Sequence, residues 1–359
     1  MRILPVTCLL VLGLAAAAGA QQARPSLFAI DTVAAVDEQV DFDGNYSTGV
    51  TLDAVVSADF GRGFQGIVRP FASRGGSGEW NRQIWIATAR YERPGPLLGL
   101  RVDAGLIPSP IGLANLTLRH HLNPTISQPS SLFTALPPLE PGGGRATLLG
   151  AVYPYGAQAT VSGARWDARA AVIDTSPLRT RRVFAQTNPP RFANVVIGGG
   201  VTPFIGVHLG ASVTRGGWQR AGEAPFVTED QSATIVTVES EVSFRYTKLA
   251  GEWVRDAIET STGDRVASGW FVQGQQTLTP RWFVAGRLER MSSPAVISLR
   301  DQTPPLVVDQ RLQGVEETVG YRLTPEITLR AGHRARRGFG QSSFGHTVSV
   351  SAVWWQRWM

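Results

Sequence analysis

Cysteine is almost absent from this sequence: Cys8 is the only one in 359 residues. It lies within an apolar N-terminal run, so the chain after that run has no disulfide, no thiolate nucleophile and no cysteine-based metal site. A lipoprotein cysteine would lie at the end of the apolar run, so lipidation of Cys8 is not expected. No metal or other cofactor is predicted.

Lysine, charge and long apolar runs are also scarce. Lys248 is the only lysine among 34 basic residues, and charged residues make up 17% of the chain, below the typical ~25%. The arginines are spread along the chain and do not cluster on one helix or beside stacking aromatics, which excludes nucleic acid as a partner. Beyond the N-terminus no apolar run approaches 18 residues, which excludes a transmembrane helix, and no convincing amphipathic helix is found.

The N-terminal residues have the pattern of a signal peptide. Arg2 forms a short positive region, an apolar stretch follows, and Ala18-Gly19-Ala20 resembles a cleavage site. We therefore expect residues 1–20 to be removed on export and residues 21–359 to fold. The apolar run is short for a membrane anchor, which is the alternative interpretation.

What the sequence contains in abundance is a two-residue period. The segments Leu278–Arg290 and Leu323–Arg337 both begin with Leu-Thr-Pro and then alternate apolar with polar residues. Proline has no N–H and suits a turn, whereas alternation indicates a strand with one apolar and one polar face. The sequence therefore predicts an all-β fold.

The connections fall into two classes, which predicts a transmembrane, antiparallel, up-and-down β-barrel of the outer-membrane type. Seven short turns alternate with eight long loops, which gives sixteen strands, with fourteen or eighteen as alternatives. This count treats 157–174 as one strand and Pro154–Gly156 as a turn. A soluble β-sandwich or β-helix would also alternate, but the signal peptide, the two loop classes and aromatics near strand ends favour the barrel.

The longest connection, 108–145, is predicted to fold into the lumen and constrict it. It has seven prolines, too many for a helix or ladder, and large apolar residues such as Ile111 and Leu132 that need a surface to pack against. Arg119, His120 and His121 lie in it and would form a basic belt. The alternative is that they pair with carboxylates of the wall. We expect both histidines to titrate near pH ~6.5.

Residue parity assigns further charged side chains to the lumen. Arg82, Arg90 and Arg169 are among those predicted to face inward. With the loop residues above, those predicted to line the pore or its constriction are Arg101, Asp103, Glu239, Glu241, Arg287, Glu289, Arg330, Arg334 and Arg336. The arginines of 326–337 would oppose an acidic wall on 232–258, although each charge could instead be neutralised by its neighbour.

The stretch "RVDAGLIPSPIGLAN", Arg101–Asn115, resembles the strand and Pro-x-Gly segment that enters the constriction loop of the phosphate/polyphosphate-selective porin (O/P) type. This resemblance implies a sixteen-stranded trimeric porin. Two features depart from that type: Met359, rather than an aromatic residue, ends the chain, and lysine is nearly absent. Phosphate specificity is therefore not carried over.

The predicted function is a passive outer-membrane channel for small hydrophilic solutes, with a weak preference for anions carried by Arg119, Arg330, Arg334 and Arg336. Expected partners are outer-membrane lipid and lipopolysaccharide, which the basic run Arg179–Phe184 would face, small polar or anionic solutes, and two further copies in a homotrimer.

Two other classes of function stay open. One is a closed structural or adhesive barrel, which a conductance measurement would distinguish from a channel. The other is a barrel hydrolase, but His208, His333 and His346 are scattered and neither G-x-S-x-G nor H-E-x-x-H occurs. No enzymatic activity is predicted.

Overall fold

The structure is a computed structural model that describes residues 27–75, 78–112, 119–143, 145–150, 153–179, 191–297 and 306–358. The predicted signal peptide, most of the Arg179–Phe184 run and Met359 lie outside the described residues. Arg179 itself is described. It is 5% exposed and pairs with Glu223, so it does not form the open basic patch expected of it.

The described chain is built almost entirely of β-strands. They are β1 (Phe28–Asp41), β2 (Tyr46–Gly61), β3 (Phe64–Arg74), β4 (Trp80–Arg93), β5 (Gly99–Leu106), β6 (Tyr155–Ser162), β7 (Trp166–Ile173), β8 (Asn194–Phe204), β9 (Val207–Gln219), β10 (Gln231–Phe244), β11 (Thr247–Ile258), β12 (Arg265–Thr277), β13 (Trp282–Ile297), β14 (Leu306–Arg322), β15 (Ile327–Arg337) and β16 (Gly345–Trp358). A short helix, α1 (Ser130–Phe133), lies between β5 and β6. None of the helices described is long and apolar enough to cross a membrane.

The sixteen strands close into a single antiparallel barrel. Each strand pairs with its neighbours in the chain, and β1 pairs with β16 from Ile30↔Trp358 to Asp41↔Thr347. Closure leaves no unpaired sheet edge, as a hydrocarbon environment requires. The predicted fold class and strand number are confirmed.

The two-residue period separates an inner from an outer face. In β10, Thr237 and Glu239 point inward and are 0% and 4% exposed, whereas the outward Val238 is 49% exposed. Similar alternation of buried and exposed positions runs through β11, β12 and β14. Outward positions are mainly apolar, which suits contact with lipid.

The two Leu-Thr-Pro motifs form turns with the same hydrogen bonds. In the β12–β13 turn, the Thr279 hydroxyl accepts from the backbone N–H groups of Arg281 and Trp282 at 3.3 and 3.0 Å. In the β14–β15 turn, the Thr324 hydroxyl accepts equivalent bonds from Glu326 and Ile327 at 3.2 and 3.1 Å. Threonine side chains thereby satisfy donors that proline geometry leaves without a ladder partner.

The strand assignment around residues 146–174 was wrong in two places that cancel. The chain turns at 163–165 between β6 and β7, so 157–174 is not one strand. Pro154 is the last residue of the long loop, and the described residues 145–150 and 153 before it do not form a strand. Outward residues change from odd numbers in β6 to even numbers in β7, a shift that marks the turn. The apolar residues before Pro154 pack inside the lumen and only look like a strand in the sequence.

A β-bulge in β4 reverses the predicted orientation of Arg82. Arg69 pairs with Ile86 and Pro70 with Ile84, so Trp85 is an extra residue that shifts the parity of β4. Pro70 cannot donate to the ladder, and bulges accommodate such positions. Arg82 therefore faces outward, whereas Arg90, on the other side of the bulge, faces inward as predicted and contacts Asp103.

The hydrophobic core lies inside the barrel. The connection between β5 and β6 runs from residue 107 to residue 154, beyond the predicted end at 145, and its described residues pack in the lumen. Its Ile107, Ile111, Leu132, Leu148 and Leu149 are all 0% exposed. They form one cluster with inward wall residues of β7–β14 that include Ile173, Val196, Ile235, Val254, Phe271, Met291 and Leu312. A rigid apolar loop thus packs on the inner wall.

Candidate functional site

The in-folded loop is held to the barrel wall at several points, and Glu316 on β14 makes one of the main attachments. Its carboxylate accepts hydrogen bonds from the backbone N–H groups of Ile126 and Ser127, both at 2.9 Å, and from the Ser127 hydroxyl. The same carboxylate pairs with Arg287 on β13 at 2.7 Å. Charge-assisted hydrogen bonds of this kind are stronger than neutral ones.

Arg287 and Glu289 add a second attachment on β13. The Arg287 guanidinium, 0% exposed, donates to the Thr125 hydroxyl at 2.8 Å and to the carbonyl oxygens of Ser127 and Gln128. Glu289 accepts from the backbone N–H and hydroxyl of Ser130 at 2.8 and 2.7 Å, at the start of α1. These predicted pore-lining residues therefore bind the loop.

The three arginines of β15 share one inward face, as predicted, but they also bind the loop. Arg330 is 4% exposed and donates through Nη1 to carbonyl oxygens of the loop, among them Asn123 and Thr125 at 2.9 Å. Arg334 contacts Glu289 at 3.3 Å, and Arg336 donates to the Thr134 hydroxyl at 2.8 Å. The three guanidinium groups predicted to attract anions are therefore occupied by contacts with the loop and the wall.

On the neighbouring part of the wall, beyond β16, Arg119 of the loop binds two carboxylates and is not a free basic belt. Its guanidinium pairs with Asp31 on β1 at 2.9 Å and with Asp53 on β2 at 3.1 Å. Asp53 also accepts a bidentate pair of hydrogen bonds from the guanidinium of Arg69 on β3, at 2.9 and 2.8 Å. The sequence analysis missed Arg69. Its inward orientation does not follow from simple alternation, because the strand pairing is irregular at Pro70.

The adjacent histidines have different surroundings. His120 Nε2 lies 3.2 Å from Asp37 on β1. His121 stacks on Trp355 of β16, with ring centroids 5.4 Å apart and planes 6° from parallel. Burial of the His121 ring, with a smaller contribution from the nearby positive charge of Arg119, lowers its pKa to about 4. The expectation that His121 titrates near neutrality was therefore wrong.

The far end of the loop is attached near the opening formed by the long loops. Glu140 is 1% exposed and accepts from the backbone N–H and hydroxyl of Ser261, after β11, at 3.0 and 2.7 Å. It also accepts from Gln231 at the start of β10 at 3.2 Å. The Val296 N–H of β13 donates to the Pro138 carbonyl at 2.8 Å. The loop therefore contacts strands on several sides of the lumen.

The remaining predicted lumen charges pair along the wall. Asp103 on β5 pairs with Arg90 at 2.7 Å and with Arg101 at 3.1 Å, and the Arg101 side chain is 41% exposed. Separate pairs join Glu239 to Arg169 at 3.1 Å and Glu241 to Lys248 at 3.2 Å. Neutralisation by neighbours is thus the rule, and Arg101 keeps partial access to the lumen.

Within the described part of the chain, a buried carboxylate that the sequence analysis did not discuss has no hydrogen-bond partner. Asp256 on β11 points inward and is 0% exposed, and neither carboxylate oxygen has a hydrogen-bond partner among the described residues. It lies beside apolar Ile235 and Ala267 in the ladder. No cluster of three or more potential metal ligands occurs in the described part of the chain.

Comparison with known proteins identifies the architecture. No family model matches the sequence, and no curated protein matches it. Among solved structures, OmpT, an outer membrane protein of Vibrio cholerae, matches with a TM-score of 0.57 at 7% identity, covering 94% of this chain and 100% of that one. An in-vitro folded trimer form of OmpT gives 0.55 at 10% identity, covering 92% and 99%.

A third structure agrees with these. Salmonella typhi OmpF, in complex with daunomycin, matches with a TM-score of 0.57 at 11% identity, covering 92% of this chain and 97% of that one. At such low identity the likeness concerns the fold alone. The chain thus has the fold of outer-membrane β-barrels, spanning nearly their whole length.

Proposed function

We propose that this protein is an outer-membrane porin that lets small hydrophilic solutes diffuse passively through a barrel narrowed by its own loop. The observation that carries the proposal is the attachment of the described loop residues inside a closed sixteen-stranded barrel, through Glu316, Glu289 and Arg330 on β13–β15, Asp53 on β2 and Gln231 on β10. A loop held at this many points sets a fixed aperture. Its charged contacts define which ions meet least resistance.

The charge arrangement supports a weak preference for anions, although by a different route from the one the sequence indicated. Arg119, Arg330, Arg334 and Arg336 are occupied by the loop and the wall. In the cluster of Arg90, Arg101 and Asp103, however, two guanidinium groups share one carboxylate. The excess positive charge, with Arg101 partly exposed, favours anions modestly.

We propose a homotrimer as the assembled form. A hollow of about 620 Å³ lies on the outer face of β1–β4 and β16, lined mainly by small or apolar residues that include Ala34, Leu52, Ala54, Pro70, Ala72 and Trp354. The wall of a neighbouring copy would fill it. The trimer form of the structurally similar OmpT supports this assembly. Light scattering of the detergent-folded protein measures the number of chains per particle.

A closed barrel is the second candidate, because the loop contacts both β2 and β10, on opposite sides of the barrel, and buries a continuous apolar core in the lumen. An enzyme has less support: His333 and His346 lie 3.1 Å apart, and His333, two residues past the outward Ala331, faces away from the lumen. Neither can therefore cooperate with the lumen carboxylates.

Planar-bilayer recording tests the proposal. We expect discrete channel steps from the folded wild type and a severalfold higher single-channel conductance after deletion of residues 112–138. Reversal potentials in a salt gradient then measure ion preference. A wild type without steps whose deletion variant conducts would identify a closed barrel. A deletion variant with unchanged conductance would show that the loop does not limit the pore.

A further inference from the structure

The outer face of the barrel carries arginines that pair with no carboxylate. Arg290 on β13, Arg311 on β14 and Arg337 on β15 occupy outward positions, as the exposed or half-exposed burial of alternate residues shows. None of the three lies within 4.0 Å of a carboxylate oxygen in the described part of the chain. By contrast, the inward Arg69 and Arg287 are both ion-paired.

The strand register brings these three arginines together around Gln313. Arg290 and Arg337 are the ladder partners of Gln313 on either side, and Arg311 lies two residues from Gln313 on the same outward face. Diagonal neighbours in a sheet are about 7 Å apart, and residues two strands apart are about 10 Å apart. Arg337 donates to Gln313 Oε1 at 2.8 Å, and its guanidinium carbon lies 5.4 Å from the centroid of the Phe344 ring.

Three positive charges this close repel one another unless an anion joins them. The nearest outward carboxylate in the sequence of β14, Asp309, lies two residues beyond Arg311 and makes no ion pair with it in the described chain. Arginine stays protonated at all workable pH values and its fork matches phosphate oxygens. The three guanidinium groups therefore require an external anion that has several oxygen atoms.

The distance of the cluster from the short turns, measured along the barrel axis, indicates the source of that anion. Arg290 is the ninth residue of β13 and Arg337 the eleventh of β15, counted from the short-turn ends at Trp282 and Ile327. With a rise of ~3.3 Å per residue and a strand tilt of ~40°, they lie about 20 to 25 Å above the short turns. An apolar band in such barrels is ~25 Å tall, so the cluster lies at its upper boundary.

The neighbouring outward residues fit a lipid interface at that boundary. Trp270 is the ladder partner of Arg290 and Trp253 that of Trp270, and both rings are 39% exposed. Tryptophan prefers the level where headgroups meet acyl chains. Arg255 and Arg215, each the ninth residue of its strand, extend the positive charge along β11 and β9 at the same level.

We propose that Arg290, Arg311 and Arg337 form a binding site for the phosphate groups of lipopolysaccharide, the phosphorylated glycolipid of the outer leaflet, with Arg255 and Arg215 as a flanking surface. The acyl chains would lie against the apolar outward residues nearer the short turns, such as Leu288 and Val315. This site is independent of conduction through the lumen.

The test compares lipopolysaccharide binding by the detergent-folded protein and its variants, using fluorescently labelled lipopolysaccharide. We expect the variant Arg290→Gln/Arg311→Gln/Arg337→Gln to bind at least tenfold more weakly than wild type. The matched control Arg62→Gln/Arg93→Gln/Arg245→Gln removes the same charge from exposed positions at the short turns, away from the upper boundary of the apolar band, and should change binding less than twofold. Heat-modifiable gel migration verifies that each barrel is folded.

A second comparison needs no variant. Wild type should lose at least tenfold in affinity for enzymatically dephosphorylated lipopolysaccharide and should bind vesicles containing phosphatidylglycerol more weakly than the intact glycolipid. Equal binding of phosphorylated and dephosphorylated forms would overturn the proposal, as would equal losses in the two triple variants. Stronger binding of phosphatidylglycerol would assign the site to phospholipid instead and overturn it too.

Discussion

Removing the Glu316 side chain should release the middle of the constriction loop. This carboxylate accepts from two loop backbone N–H groups and the Ser127 hydroxyl, and it is paired with Arg287. In Glu316→Ala the Arg287 guanidinium, 0% exposed, keeps only a 3.5 Å contact to Glu289 as an ion pair. Breaking a buried pair by deleting one partner typically costs ~3–5 kcal/mol.

That free energy corresponds to a factor of at least about 10² in the equilibrium between attached and detached loop. Trypsin can cut after Arg119, which is bound to Asp31 and Asp53 inside the lumen, only when the loop leaves the wall, so the rate of cleavage at Arg119 reports the detached fraction. We expect cleavage of Glu316→Ala at least about 100-fold faster than that of wild type, and more variable single-channel currents.

The neighbouring residue supplies the control. Glu317 points outward, with a side chain 76% exposed, so Glu317→Ala should leave cleavage unchanged. Adding Arg287→Met to Glu316→Ala should recover part of the loss, because the unpaired buried charge is removed. If Glu316→Ala, like Glu317→Ala, is cleaved at the same rate as wild type, the reasoning that Glu316 holds the loop on the wall is refuted.

Three further predictions concern other groups of the lumen. Because the pKa of His121 is lowered to about 4 in the folded protein from an ordinary value near 6.5, its protonation favours the detached loop as pH falls from 6.5 toward 4. The ratio of the trypsin cleavage rate of wild type to that of His121→Phe should therefore rise as the pH falls over that range, and a constant ratio would contradict this assignment. Asp256→Val should raise the temperature at which the barrel migrates as unfolded in gels, since a buried group without a partner costs ~1–3 kcal/mol; a lower temperature would mean that the carboxylate is satisfied. Arg101→Gln should move the anion/cation permeability ratio toward one, and a ratio equal to that of wild type would remove Arg101 from the selectivity mechanism.

Several features of the fold follow from local chemistry and could be predicted. Threonine and proline define the turns at Leu278–Arg281 and Leu323–Glu326. Alternation along β10 or β16 assigns each side chain to one face, because consecutive strand residues point in opposite directions. Where that local rule is interrupted, prediction fails: the extra residue Trp85 turns Arg82 outward, and the turn at 163–165 contains no proline and only one glycine, Gly163.

The charged site could be predicted only in part, for a physical reason. Parity correctly placed Arg287, Glu289 and Arg330 in the lumen, but parity says nothing about what a side chain meets across it. The path of residues 107–154 decides that Arg330 donates to loop carbonyl oxygens and that Arg119 pairs with Asp31 and Asp53. Such contacts join residues up to 210 positions apart, and no spacing in the sequence encodes them.

By itself, the sequence determined the face of most strand residues, the turn chemistry and the closure of an even number of strands, since each depends on residues adjacent in the chain. Only the tertiary structure decided how charges combine. It binds the arginines of β15 to an in-folded loop and to Glu289. Its strand register also gathers Arg290, Arg311 and Arg337 around Gln313. Charge interactions depend on distance in space, which only the closed and filled barrel specifies.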